Sequence, residues 1–127
     1  GIARIYSRNQ QWKNAEEAWG GYLSNRDWVL ARAEANFEFA RSIEEGGNPR
    51  KALGYYVSIY SNFEKQIDWS APSYLRAALI MDANGKRREA LLILQDMMRR
   101  MHQVDHPVVD RAKKLFTQWR NEFIQQP

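Results

Sequence analysis

Apolar residues recur at spacings of three and four along most of this chain. Phe37, Ala40 and Ile43 fall on one helical face, and Leu91, Leu94, Met97, Met98 and Met101 fall on another, the spacing expected for a period near 3.6. Sustained alternation of apolar and polar positions is missing. The one Asn-Gly pair, Asn84-Gly85, is flanked by helix formers rather than by β-branched runs, so it predicts no hairpin. The pattern predicts an all-α chain.

Breakers divide the pattern into segments. Asn25 to Asp27 are expected to separate a helix ending near Ser24 from one running to about Glu45. Gly46-Gly47-Asn48-Pro49 stops that helix and starts the next, with Asn48 as N-cap and Pro49 at the first helical position. Asp68-Trp69-Ser70-Ala71-Pro72 reads as the same device again, with Ser70 as cap. Asn84-Gly85 then makes a left-handed stop, and Pro107 opens a last helix through about Phe123. Seven helices follow from this punctuation, and their short turns make neighbours antiparallel.

The segments repeat. Ala40, Ile43, Gly47, Ala52 and Tyr56 are matched by Ala78, Met81, Gly85, Ala90 and Leu94 at a constant offset of 38 residues. An offset of 34 upstream carries Ala52 to Ala18 and Tyr56 to Tyr22. One helix pair cannot cover its own apolar face, so pairs of this kind stack, and about three are needed for a stable core. The small residues Ala40, Ala78, Ala52 and Ala90 mark close helix contacts, and bulky Phe39, Tyr56, Ile59, Leu94 and Met97 are expected to fill the layer between units.

A 34-residue period with small residues at the eighth and twentieth positions and a large apolar residue at the twenty-fourth resembles the tetratricopeptide repeat. The third unit fits through Tyr74, Ala77, Ala78, Met81, Ala90, Leu94 and Met97. The second fits through Phe39, Ala40, Ile43, Ala52, Tyr56 and Ile59, with Asn36 where the family has an aromatic. The first rests on Ile2, Ile5, Ala18 and Tyr22, and departs from the pattern at Tyr6 and Asn9. Four extra residues lengthen Lys65 to Ala71. The resemblance implies one domain over residues 1–127, with units at about 1–28, 29–66 and 71–104 and a capping helix at 107–124. Its fold would be a right-handed α-superhelix of about three antiparallel helix pairs.

In that family the first helices line a concave groove that holds peptides or helices of partner proteins. Position by position, the resemblance turns Ala3, Arg4 and Ser7, then Glu34, Phe37 and Arg41, then Leu75, Arg76 and Leu79 toward the groove. Members that clamp a chaperone's C-terminal carboxylate use a Lys and Asn set that this chain lacks at those places. A segment with apolar anchors and an acidic group suits this groove better. The last helix carries Val109, Ala112, Leu115, Phe116 and Trp119 on one side and resembles the solvating helix that closes such arrays. A second role for the terminal helices is exchange with another copy, giving a homodimer. Ile2 and Ile5 are expected to be sticky unless further repeats precede them.

Composition narrows the partners. Nine basic residues face eight acidic ones up to Gln66 and ten face seven from Ile67 onward, an excess too mild and too mixed for a dedicated nucleic-acid surface. Lys86-Arg87-Arg88, Arg99-Arg100 and Arg111 to Lys114 are the exceptions. They read as solvated helix ends and faces, with nucleic acid or anionic lipid as the minor alternative. Cysteine is absent, which excludes disulfides and thiolate chemistry and leaves cytoplasm and periplasm both open. The general character of such arrays suggests a bacterial source. No apolar run approaches the roughly 20 residues that span a bilayer, and the start Gly-Ile-Ala-Arg suggests a segment excised from a longer chain.

Candidate chemistry is sparse. His102, Asp105 and His106 include both histidines, but Pro107 takes His106 out of helical geometry. Asp105 or His106 is therefore expected to cap the last helix and His102 to end the one before it. The pairs Glu16-Glu17 and Glu44-Glu45 are adjacent, hence about 100° apart on a helix, and make no dyad. Gly20-Gly21 and Gly46-Gly47 lack the strand and the Lys-Ser/Thr of a phosphate loop. No catalytic residue, metal or cofactor is expected. Trp12, Trp19, Trp28, Trp69 and Trp119 read as core or seam residues. Trp69, in the lengthened connection, is either a plug or part of a partner site.

Overall fold

The structure, a computed structural model, describes residues 25–125, and these form only helices and turns. Five helices follow in order among them: α1 (Asn25–Glu45), α2 (Pro49–Asn62), α3 (Ile67–Ala83), α4 (Arg87–Met101) and α5 (Pro107–Ile124). The two further helices expected upstream, with most of the first repeat unit, lie outside the described residues. Asn25 to Asp27 are helical rather than a break. None of the described helices is long and apolar enough to cross a membrane. The chain divides into two compact units between Ser70 and Ala71, where the third unit of the sequence pattern begins.

In the first unit, α1 is rich in strong helix formers and carries Asp27 in its first turn, where a carboxylate suits the helix dipole. It ends at a reversal whose hydrogen bonds are those of a Schellman motif. Asn48 N–H donates to the Ile43 carbonyl at 3.2 Å and Gly47 N–H to the Glu44 carbonyl at 3.0 Å. Gly47 takes φ +93°, a left-handed conformation costly for any residue with a Cβ. Asn48 then caps α2, its side chain accepting from Lys51 N–H at 3.2 Å, and Pro49 stands at the first position, where its missing N–H costs nothing. The two helices pack on each other. Their core includes Ala40, Ile43, Ala52, Tyr56 and Ile59, with Ala40, Ala52 and Tyr56 wholly inaccessible. The buried Tyr56 keeps its hydroxyl satisfied by donating to Glu44 Oε1 at 2.8 Å. The Phe39 and Tyr55 rings meet edge to face at 5.0 Å.

In the second unit, α3 and α4 reverse by the same bonds, 38 residues on. Lys86 N–H donates to the Met81 carbonyl at 2.9 Å, Gly85 N–H to the Asp82 carbonyl at 3.0 Å, and Gly85 takes φ +77°. Ala78, Ala90 and Leu94 are wholly inaccessible, as their counterparts Ala40, Ala52 and Tyr56 are. Tyr74 Oη crosses from α3 to donate to Asp96 Oδ2 at 2.8 Å. After α4, His106 caps α5 by accepting from Val108 N–H at its Nδ1, 3.1 Å away. Helix α5 packs on α4 and buries Val109, Ala112 and Trp119.

A second expected boundary is also wrong. Helix α3 does not start at a Ser70 cap; it starts at Ile67 and runs through Pro72. Ser70 acts as a donor, its Oγ reaching the Glu64 carbonyl at 2.8 Å, while its own N–H joins the helix by bonding the Gln66 carbonyl at 2.8 Å. Pro72 costs one ladder bond to the Asp68 carbonyl near the helix start. The wholly buried Ser70 ties the preceding turn to the helix and holds its extra turn in place.

The inaccessible alanines leave no volume to fill. Ala90→Leu is expected to overpack the second unit and lower its stability by about 1 to 3 kcal/mol. Thermal unfolding followed by circular dichroism checks this, with Leu92→Ala, at an exposed position of the same helix, as the neutral comparison.

Candidate functional site

The groove residues suggested by the resemblance sort into three sets. Arg4 and Ser7, with Ala3, lie outside the described residues. Glu34, Phe37 and Arg41 follow one face of α1, and Leu75, Arg76 and Leu79 follow one face of α3. Phe37 is half-buried, its ring 5.7 Å from that of Tyr56 and 5.6 Å from that of Trp69. Trp69 is half-buried in this contact. Arg41 is exposed and its Nε donates to Glu45 Oε1 at 2.9 Å, a hydrogen bond that raises the guanidinium pKa further. Leu75 is buried, whereas Glu34, Arg76 and Leu79 are half-buried.

Basic residues read as solvated are partly tied down. Arg87, in the first turn of α4, pairs with Asp82 of α3 and with Glu122 of α5 at 2.9 Å, and its guanidinium lies 4.8 Å from the centre of the Trp119 ring. The hydrogen bond with Asp82 is the main cause of its raised pKa. In the opposite sense, Arg87 holds the Glu122 carboxyl below the ordinary range. Arg99 and Arg100 both donate to Asp96 Oδ1, at 2.5 and 3.2 Å. Burial works against the Asp96 carboxylate, but the bonds from Tyr74, Arg99 and Arg100 together outweigh it and lower its pKa. Trp28 meets the Arg32 guanidinium at 5.6 Å.

The histidines are used as the spacing suggested. His106 caps α5, and His102 ends α4, its Nδ1 lying 3.2 Å from the Arg99 carbonyl. Glu44 and Glu45 diverge, one toward Tyr56 and the other toward Arg41. Among the described residues, no group of three His, Cys, Asp or Glu side chains is arranged to hold a metal ion.

A feature missed in the sequence lies along α4 and α5. Leu92, Met98 and Phe116 line an open groove of about 910 Å³, and Arg99 and Arg120 stand beside them. Leu92 is 55% exposed, and the Arg120 guanidinium sits 5.7 Å from the Phe116 ring centre. The signal was present: Leu92 shares a helix face with Gln95 and Arg99, away from the buried Ala90, Leu94, Met97 and Met101. What distinguishes Leu92 from a singly exposed apolar residue is the company of Met98 and Phe116 in one groove.

No protein-family model, curated protein or solved structure matches the chain.

Two predictions follow from the ion pairs. Arg87→Ala, which removes a half-buried cation from two carboxylates and a tryptophan face, is expected to cost about 2 kcal/mol. Arg88→Ala on the exposed neighbour should stay within about 0.5 kcal/mol; urea unfolding of both compares them. Asp96→Asn is expected to cost about 1.5 kcal/mol at neutral pH, since it weakens bonds to a charged acceptor. The folded pKa of Asp96 lies below the unfolded value, so its contribution is complete above about pH 4 and is lost as the pH falls through the folded pKa. The difference between wild type and variant should therefore close in urea titrations at progressively lower pH.

Proposed function

We propose that this chain is a helical-repeat scaffold that binds a peptide or helix of a partner protein. The observation supporting it is the recurrence, 38 residues apart, of one complete helix reversal: the same Schellman bonds, the same left-handed glycine and the same inaccessible alanines. A chain that reuses one hairpin builds an extended surface from equivalent helices, and such surfaces serve recognition. On this reading the hairpins stack in the manner of tetratricopeptide repeats, as a right-handed superhelix closed by α5. The first helices line the groove, with Glu34, Phe37 and Arg41 from α1 and Arg76 and Leu79 from α3 toward the ligand. Leu75 supports that helix from within, and Phe37 contributes an edge of an aromatic cluster that also includes Tyr56 and Trp69. The apolar character of these positions and their two arginines favour a segment with apolar anchors and a carboxylate.

The test is capture by immobilised protein, comparing wild type with a variant carrying Arg41→Ala, Arg76→Glu and Leu79→Ser. Phe37 is left in place because its ring packs on Tyr56 and Trp69, and removing it would disturb the fold. After circular dichroism shows equal helicity, a protein retained by the wild type is expected to be lost from the variant. Equal retention by both excludes this groove, and recovery of nucleic acid in place of protein excludes the reading itself.

A further inference from the structure

We infer that the groove along α4 and α5 is a second docking surface, distinct from the first-helix face, and that its ligand is an acidic amphipathic peptide segment. Two properties lead to this ligand. The first is an apolar floor open to solvent: Leu92 is more than half exposed, and Met98 and Phe116 are half-buried beside it. Exposed apolar surface held in a concave strip is the form that receives an apolar helix face or an extended side chain.

The second property is the sign of the rim. Arg99, whose side chain is 74% exposed, and Arg100 share a single carboxylate, Asp96, and Arg120 is exposed on the α5 side. Of these, Arg99 and Arg120 line the groove against its one lining carboxylate, Asp96, and with Asp96 shared between Arg99 and Arg100 the groove keeps an excess of positive charge. Tyr74 also donates to Asp96, so that carboxylate is already engaged from three directions. A carboxylate arriving with the ligand would pair with Arg99 or Arg120, since a planar guanidinium suits forked hydrogen bonds to a carboxylate.

The arrangement favours a peptide over a nucleic acid. Base stacking needs an open aromatic face, and the Arg120 guanidinium sits over Phe116, the aromatic ring in this groove. An aliphatic floor of Leu92 and Met98 offers contact to leucine-like side chains instead. The stretch from Leu92 in α4 to His102 at its C-cap is about 15 Å long at 1.5 Å per residue, which matches about three turns of a bound helix.

The test uses a fluorescein-labelled peptide of about 12 residues, three to four helical turns, with leucines on one face and glutamates on both flanks. Its controls are the same peptide with lysine at every glutamate and a labelled oligothymidine. Fluorescence anisotropy is expected to show binding of the acidic peptide alone. Arg99→Glu with Arg120→Glu should weaken it about tenfold or more, and Leu92→Asp, at an exposed position that leaves the fold intact, should do the same. Added salt should weaken it further. The Arg41→Ala, Arg76→Glu, Leu79→Ser variant should bind this peptide as the wild type does, so failure of the first-helix reading leaves this outcome unchanged. Equal affinity for the lysine peptide, preference for the oligothymidine, or affinity unmoved by the arginine reversals overturns the proposal. So does sedimentation showing a dimer that Leu92→Asp dissociates, because the occupant is then a second copy of the chain.

Discussion

A helix that reverses in three residues brings two backbones together within a turn of the reversal, and the side chains caught there have to be small. This one constraint organises both described hairpins. The reversal requires a residue at positive φ, supplied by Gly47 and Gly85, and it directs the next helix back along the last. The first close approaches then fall at fixed distances from the glycine. Ala40 and Ala78 precede their glycines by seven residues, Ala52 and Ala90 follow by five, and all four are wholly inaccessible. On the second helix of each pair the larger residues Tyr56 and Leu94 follow one turn after the alanine, where the helices leave room for them.

That dependence on short-range geometry explains what was legible in the sequence. Caps and stops are made by residues within five of each other: Asn48 with Lys51, His106 with Val108, and each left-handed glycine with the turn before it. Local chemistry decides these, so reading the residues in order finds them. The apolar spacing of α4 and α5 was legible for the same reason, and the buried sets Leu94, Met97, Met101 and Val109, Ala112, Trp119 follow it. The start of α3 was not legible. Ser70 followed shortly by a proline has the form of a cap, and only the reach of its hydroxyl back to the Glu64 carbonyl turns it into a brace inside a longer helix.

The site residues were harder for a related reason. A side chain's availability depends on what lies across from it, and the periodicity of its own helix does not state that. The resemblance implied a groove position for Phe37, yet Tyr56 and Trp69, 19 and 32 residues further along, bring two rings against it. Arg87 looked like one of three solvated cations. Its partner Asp82 is close in sequence, but Glu122 and Trp119 come from another helix, and together they make it a junction of α3, α4 and α5. Arg88, its neighbour in the same run, stays exposed. One charged run thus divides into a structural residue and a solvated one according to which side of the helix each occupies.

The same division runs along the whole of α4 and bears on why the chain keeps a groove there. One face of this helix is spent on packing, through Ala90, Leu94, Met97 and Met101. The other carries Gln95, Arg99 and Leu92, and of these Leu92 is the anomaly. Stability does not ask for it, because a polar residue at that position would leave the buried face untouched and remove exposed apolar surface. Its neighbours give the anomaly a direction. Asp96 is drawn inward by Tyr74 and neutralised by Arg99 and Arg100, so the negative charge nearest the groove is consumed within the fold while the guanidinium groups extend outward. A leucine exposed beside Arg99 and Arg120, on a helix whose other face already supplies the core, adds nothing to that core, and the proposed peptide site rests on that difference between the two faces.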